Sequence, residues 1–306
     1  MQAGERVEEA RIFLEELAEK PPDLSYEPAL LPMLFTATQE GSPASITELT
    51  ALIARSQKLA ARVLSIANSS AYGLESTVTS LPWAISILGF REVRTLAVML
   101  GAASAIKGAS LPQGFDSVAL WRHQLKAAAV AKALAAELGG PSGVCGPLAK
   151  EEDRLSMNPD VAYAAGLLHD IGKIFLAASR PGVWKAVEEL RHQEGIQHFE
   201  AEDAYWGIDH ALVGAQVLHY WKLPLLLTDP INWHHAPEFA PAYTMEAKLL
   251  AAASDIANSG LGAGGTLPEA AASLMPEGAD PVRLGAAVAQ SLDDSDHAET
   301  FIMLAQ

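Results

Sequence analysis

Histidine and aspartate residues between positions 123 and 255 are the part of this sequence best suited to chemistry. They are His123, the pair His169-Asp170, His210, the pair His234-His235, and Asp255. Five of the chain's nine histidines belong to this set, and each lies in or beside a segment with helical periodicity. Imidazole and carboxylate groups carried by packed helices are ligands for transition metals. The set therefore predicts a site for one or two metal ions.

The pair His169-Asp170 lies in the apolar stretch Leu167–Lys173. Neighbouring residues on a helix point about 100° apart. The pair can therefore address one metal from two sides, or two metals with the carboxylate as a bridge. Gly166 and Gly172 have no side chain, so we expect partner helices to approach the backbone closely at these positions. An aspartate in such a setting needs a partner, and a metal-free, hydrogen-bonded His–Asp pair is the alternative.

His123 and Asp255 each lie among alanines. Ala119 and Ala127 stand four residues to either side of His123 and leave room for an ion, whereas a helix-surface histidine is the alternative. Asp255 is an isolated acid in an alanine-rich helix. It either faces solvent or completes the ligand set.

The remaining histidines divide into candidate ligands and ordinary residues. Asp209 is predicted to cap a helix, which places His210 in its first turn. Consecutive imidazoles at His234-His235 can divide between two metals, although such a pair is a weak signal alone. In contrast, His192 and His198 lie in a polar stretch and are predicted to be solvated, while His219 is predicted to be an ordinary surface or core histidine.

Composition limits the class of protein. The chain has 306 residues, is 50% hydrophobic and carries a formal net charge of −16. Such an acidic surface repels phosphate backbones, so we expect no nucleic-acid partner. Cys145 is the only cysteine, which favours a reducing compartment. We see no signal peptide and no apolar run long enough for a membrane span, and we therefore predict a cytoplasmic location without membrane partners.

Leucine and alanine dominate and β-branched runs are short, which predicts an all-α, multi-helix bundle. The boundaries suggested by glycine and proline divide the chain into an N-terminal helical subdomain (1–110), a subdomain with the metal site (111–260) and a C-terminal helical tail (261–306). Ser45 and Glu48 are spaced as a capping box. Asp116 is a predicted N-cap, and Gly89 is predicted to close a helix.

The order H…HD…H…HH…D resembles the HD superfamily of metal-dependent phosphohydrolases, and Leu167–Lys173 looks like the HDIGK signature of its HD-GYP branch. Further segments resemble the HDOD domain of the same superfamily: Val63–Tyr72, Ala84–Gly89, Gly207–His210 with Gly214, and Trp221–Pro224. The resemblance covers roughly residues 25–260. One departure is Ser56-Gln57, where the family often carries Asp-Pro. The resemblance implies an all-helical bundle of HDOD/HD type.

The resemblance also implies roles for particular residues. The metal ligands would be His123, His169, Asp170, His210, His234, His235 and Asp255, binding one or two divalent ions of iron, manganese or zinc. Catalytic roles would fall to Asp170 and to Lys173, which would steady the phosphate while a metal-activated water attacks phosphorus. Glu202, eight residues before His210, is a candidate outer-shell group.

The loop after His235 departs from the HD-GYP pattern. It reads Ala236–Tyr243 without a Gly-Tyr-Pro sequence, which argues against cyclic-di-GMP as substrate. Three hypotheses follow. The first, which we favour, is a bacterial signalling scaffold that binds signalling proteins and retains its metal site with little or no catalysis. The second is an active phosphohydrolase, either a phosphodiesterase or a phosphomonoesterase, with one or two metals. The third is a structural fold whose histidines hydrogen-bond among themselves.

Overall fold

The computed structural model describes residues 3–19, 30–38, 41–68, 72, 77–108, 111–140, 143–145, 150 and 154–295. These residues form helices joined by short connections, with no strand among them, and the all-α prediction is confirmed. The helices are α1 (Ala3–Glu19), α2 (Leu30–Ala37), α3 (Ile46–Ala54), α4 (Gln57–Ala67), α5 (Leu81–Gly108), α6 (Ser117–Gly139), α7 (Pro159–Leu168), α8 (Ile171–Ser179), α9 (Pro181–Glu194), α10 (His198–Trp206), α11 (His210–Tyr220), α12 (Leu225–Trp233), α13 (Thr244–Ser259), α14 (Glu269–Ser273) and α15 (Pro281–Ser295).

One compact unit comprises residues 23–108 with 221–223 and contains α2 to α5. The Asn68 side chain fastens the end of α4 to the segment before α5. Its amide nitrogen donates to the carbonyl oxygens of Leu64 and Val78, and its oxygen accepts from the Val78 N–H at 2.7 Å. The rest of the predicted turn, at residues 69–71 and 73, lies outside the described residues.

Helix boundaries in this unit follow local chemistry. Ser45 and Glu48 form the predicted capping box at the start of α3. Ser56 caps α4 by accepting from the Leu59 N–H at 3.2 Å. The departure at Ser56-Gln57 therefore preserves a helix cap, since serine and aspartate are equally good N-caps. Gly89 has φ 77° and ψ 163° and interrupts α5, as expected of a glycine that closes a helix.

The second unit comprises the described residues of 1–22, 109–220 and 224–306. Its central helix, α6, is capped by Asp116 as predicted and packs against α7, α13 and α15. The helix α1, predicted to belong with the N-terminal subdomain, lies in this unit because Phe13 stacks on Trp206 at 5.6 Å. The predicted tail also packs here, since Ser291 on α15 donates to the Ala129 carbonyl oxygen at 2.8 Å.

Two glycines set the helix spacing around the predicted site. A Cβ on Gly166 would lie 2.7 Å from the Ala128 Cα, so α7 lies against the backbone of α6. A Cβ on Gly172 would lie 1.9 Å from the His210 carbonyl oxygen, so α8 lies against the first turn of α11. The expected close approach at both glycines is confirmed, and it brings the chain on either side of His169-Asp170 next to α6 and α11.

One segment of the described chain, Pro159–Ser179, is long and apolar enough by composition to cross a membrane, with a mean hydropathy of 1.3. This differs from the expectation that no such run exists. The segment is α7 followed by α8, and 83% of its most apolar window is buried inside the unit. Its apolar character is therefore accounted for by packing in the protein core.

Candidate metal centre

Six of the seven predicted ligands come together in two groups that share Asp170. The four-residue group contains Asp170, His210, His234 and His235, and the three-residue group contains His123, His169 and Asp170. Within each group, one ligand atom from every residue lies within 4.8 Å of the others. We call the two groups together the His/Asp cluster. Asp255 belongs to neither group.

Four members of the His/Asp cluster lie where helices begin or end. His169 is the C-cap of α7 and Asp170 the N-cap of α8. His234 is the C-cap of α12. His210 is the first residue of α11, which Asp209 caps by accepting from the Leu212 N–H at 2.9 Å, as predicted. These four side chains therefore lie at turns of the chain, whereas His123 lies within α6.

Asp170 is at the centre of the cluster and is fully buried. Its Oδ1 lies 2.9 Å from His210 Nε2, 3.5 Å from His169 Nε2 and 3.9 Å from His234 Nε2. Its Oδ2 lies 2.5 Å from Lys173 Nζ and 3.5 Å from His123 Nε2. One carboxylate therefore faces four imidazoles and an ammonium group, and it would be shared by any ions that the two groups hold.

In three histidines of the cluster, the hydrogen bond made by Nδ1 fixes a proton on that nitrogen. His169 Nδ1 donates to the Gly166 carbonyl oxygen and His234 Nδ1 to the Ile231 carbonyl oxygen, both at 2.7 Å. His210 Nδ1 donates to Glu202 Oε2 at 2.6 Å. Since carbonyl and carboxylate oxygens only accept, each Nδ1 holds a proton, and the Nε2 of each ring faces Asp170. In the neutral rings of His169 and His234, that Nε2 carries a lone pair.

The Nε2 lone pairs of neutral imidazoles are repelled by the negative charge of Asp170 unless a cation lies between them. His123 Nε2 is 3.1 Å from His169 Nε2, and His235 Nε2 is 2.9 Å from His210 Nε2. His234 Nε2 is buried and has no hydrogen-bond partner. This unpartnered nitrogen, beside the other Nε2 atoms and Asp170, fits a divalent metal, because imidazoles held through Nδ1 by carbonyl or carboxylate oxygens are its usual ligands. The third hypothesis, that the histidines satisfy one another, leaves His234 Nε2 unexplained.

Burial and charge act differently on the members of the cluster. Burial lowers the pKa of His123 and of His169 to about 4, so both are neutral near pH 7. Burial also lowers the pKa of His234 well below its usual range. Burial opposes the charged form of His210 as well, but the carboxylates of Glu202 and Asp170 outweigh burial and raise the pKa of His210 to about 9. Without metal, His210 therefore holds the proton that a metal would replace.

Asp170 itself stays ionised. Burial disfavours its charged form, but His169, Lys173 and His210 hold the pKa of this carboxyl well below its usual range. A buried carboxylate that stays charged, faced by the neutral imidazoles of His123, His169 and His234, is an attractive position for a cation.

An open cleft of about 740 Å³ reaches the cluster. Lys173, His210, His234 and His235 form part of its wall, and Asp255 lies in the same wall. The Asp255 Oδ2 is buried without a hydrogen-bond partner, although it lies outside both ligand groups. The cleft is within the size range of small-molecule sites.

His198 is the residue whose position the sequence reasoning missed. It was expected to be solvated, but its side chain is only 15% exposed and lies in the cleft wall. The polar stretch around it misled the prediction, because α9 and α10 fold this part of the chain over the site. The i, i+4 spacing of His198 and Glu202 was the signal available in the sequence. His192 is 72% exposed, as predicted.

The His123 side chain is only 14% exposed, which argues against the alternative of a histidine on the helix surface. Its Nδ1 is buried and without a hydrogen-bond partner, and Ser254 Oγ lies 3.4 Å from its Nε2. The small neighbours noted in the sequence therefore do leave its ring facing the cluster.

Solved structures with this fold include the following two. An HDOD domain protein of unknown function from Geobacter sulfurreducens is 24% identical, with a TM-score of 0.68 over 94% of this chain and 95% of that one. A protein of Shewanella amazonensis SB2B described as "Putative phosphohydrolase" is 24% identical, with a TM-score of 0.60 over 80% of this chain and 79% of that one. At these identities the likeness establishes the fold alone.

Sequence comparison gives distant relatives and a family. An uncharacterized protein of Treponema pallidum is 21% identical over 66% of this chain, and the chain covers only 36% of that protein's length. The HDOD domain model matches residues 31–237, which is more than half of the chain. The match includes every residue of the His/Asp cluster and excludes Asp255. This chain is a member of the HDOD family.

Proposed function

We propose that this HDOD protein binds one or two divalent transition-metal ions at the His/Asp cluster and acts as a signalling scaffold with little or no turnover. The observation that carries the proposal is the convergence of imidazole Nε2 atoms, with their Nδ1 protons held elsewhere, on the buried Asp170. Mixed imidazole and carboxylate ligands suit iron, manganese or zinc. The two groups would take one ion each, with Asp170 between them.

The chain's own residues have separable roles in such a site. A bound divalent ion would supply Lewis acidity toward water and phosphoryl oxygens. Glu202 holds the His210 ring by accepting from both its Nδ1 and its backbone N–H, the latter at 2.9 Å. Lys173 holds Asp170, and its side chain is 19% exposed in the cleft wall, where its ammonium group can donate to an anionic ligand.

The scaffold role is supported by the loop that follows the cluster. Residues 236–243 lack Gly-Tyr-Pro and form a short turn, Pro237–Phe239, that is tied back where Tyr243 N–H donates to Asp229 at 3.2 Å. We propose signalling proteins as partners in the cytoplasm. The net charge of −16 argues against nucleic acid as a partner, and we propose no membrane partner.

Metal removal tests this proposal directly. We expect protein purified without chelator to contain one or two equivalents of iron, manganese or zinc by elemental analysis. Stripping the metal should lower the melting temperature, and adding it back should restore it, because a ligand at 100 times its Kd stabilises the folded state by about 2.7 kcal/mol. A protein that is purified without metal, and whose melting temperature does not change when iron, manganese or zinc is added, would overturn the proposal.

The cleft and Lys173 favour a second candidate function, hydrolysis of a phosphoester. The metal-loaded protein should be assayed with generic phosphomonoesters and phosphodiesters, alongside Lys173→Met and Lys185→Met. Lys185 is a suitable control because it is 78% exposed on α9. Under the scaffold proposal, we expect wild-type turnover no faster than that of Lys173→Met. Turnover that falls 100-fold or more in Lys173→Met and survives in Lys185→Met would instead establish the phosphohydrolase.

A further inference from the structure

His198 belongs to neither ligand group, and its ring lies between two carboxylates and a tryptophan. Neither of its ring nitrogens has a hydrogen-bond partner. Its Nε2 lies 3.5 Å from Glu188 Oε1 and 3.8 Å from Glu202 Oε1, and its ring stands edge-on to Trp184 at 4.6 Å. A largely buried imidazole between two carboxylates, with both nitrogens unused, is costly unless one N–H turns to an acceptor.

Glu202 supplies that acceptor. It is fully buried, and its Oε2 is occupied by the backbone and side-chain N–H groups of His210. Its Oε1 is buried and has no hydrogen-bond partner. His198 Nε2 thus faces the free oxygen of the carboxylate that orients a metal-ligand imidazole. A small ring rotation would bring the two within hydrogen-bonding distance.

We propose that His198 is a positioning residue for the metal centre, acting on His210 through Glu202. The inference rests on the proposed metal function. A hydrogen bond from His198 fixes the Glu202 carboxylate, which fixes the His210 ring and its Nε2 direction. The effect of His198 therefore reaches the four-residue group first, and the three-residue group only through the Asp170 that both groups share. Groups that orient metal ligands typically change metal affinity 10- to 100-fold.

The test compares metal affinities of the full chain by titration with Co²⁺, whose visible absorption reports the ligand field. We expect His198→Ala to weaken Co²⁺ binding at the four-residue group about 10-fold and to change the absorption band of that site. His198→Gln, which keeps an N–H donor, should recover most of the affinity. His192→Ala is the matched control, since His192 also approaches Glu188, at 3.7 Å, but is 72% exposed.

A double-mutant cycle with Glu202→Gln identifies the route. If His198 acts through Glu202, its removal should cost little further affinity in the Glu202→Gln background. Wild type that binds no Co²⁺ would overturn both the metal function and this inference. Wild type that binds Co²⁺, with equal affinity and spectrum in His198→Ala, would overturn the inference alone. Equal weakening of both sites, or full additivity with Glu202→Gln, would also overturn it.

Discussion

Asp170→Asn is expected to remove metal from both ligand groups at once. Asp170 is the only residue common to the two groups, and its Oδ1 and Oδ2 face different imidazoles. Asparagine keeps the size of the side chain but has neither the charge nor the second anionic oxygen. We expect bound metal to fall from one or two equivalents to near zero, and the stabilisation by added metal, about 2.7 kcal/mol at 100 times Kd, to disappear.

Two further aspartates make the result interpretable. Asp160→Asn is the control, because Asp160 lies in the first turn of α7, away from the cluster and 3.5 Å from Lys132. It should retain wild-type metal content. Asp255→Asn tests the sequence prediction that this residue is a ligand, since the carboxylate lies in the cleft wall but outside both groups. Full metal retention in Asp170→Asn would contradict the shared-ligand geometry.

Gly172→Ala is expected to destabilise the protein and lower its metal content. The added Cβ would lie 1.9 Å from the His210 carbonyl oxygen and 2.7 Å from the Gly214 nitrogen. Both neighbours are backbone atoms that cannot rotate away, so α8 and α11 must separate and carry Asp170 away from His210. Overpacking typically costs 1–3 kcal/mol, and we expect about 3 kcal/mol or more here. Urea denaturation and elemental analysis would measure both effects.

Gly182 offers a closely matched control. It is the second residue of α9, as Gly172 is the second residue of α8, and a Cβ there would meet nothing within 4 Å. Gly182→Ala should stabilise the protein by up to about 1 kcal/mol, because alanine has the higher helix propensity. The two substitutions are chemically identical and are expected to have opposite signs. Stabilisation by both would show that the α8–α11 contact is not close.

The types and order of the predicted ligands are local information, and the structure brings six of the seven together. The helix caps at Asp116 and Asp209 could be predicted directly from the sequence. So could the close helix approach at Gly166 and Gly172. These features depend on a few neighbouring residues, and the structure agrees with them.

Tertiary placement could not be predicted in the same way. His198 was expected in solvent because its neighbours are polar, yet the packing of α9 and α10 encloses it. The domain boundaries at 110 and 261 followed glycine and proline, whereas α1 and α15 pack onto the unit that holds the cluster. Asp255 matched the family order but lies outside both groups. Each of these depends on contacts between residues far apart in the chain.

The rings of His169 and His234 are each tied to a carbonyl three residues earlier in the same helix. Their orientation is therefore set by the helix that carries them and does not depend on the partner helices. Rotamer freedom that a metal would otherwise have to remove is already lost when each helix forms. We expect ion capture by the folded protein to involve little side-chain reorganisation at these two positions. Preorganisation of this kind would favour fast metal uptake and a small entropic penalty for binding.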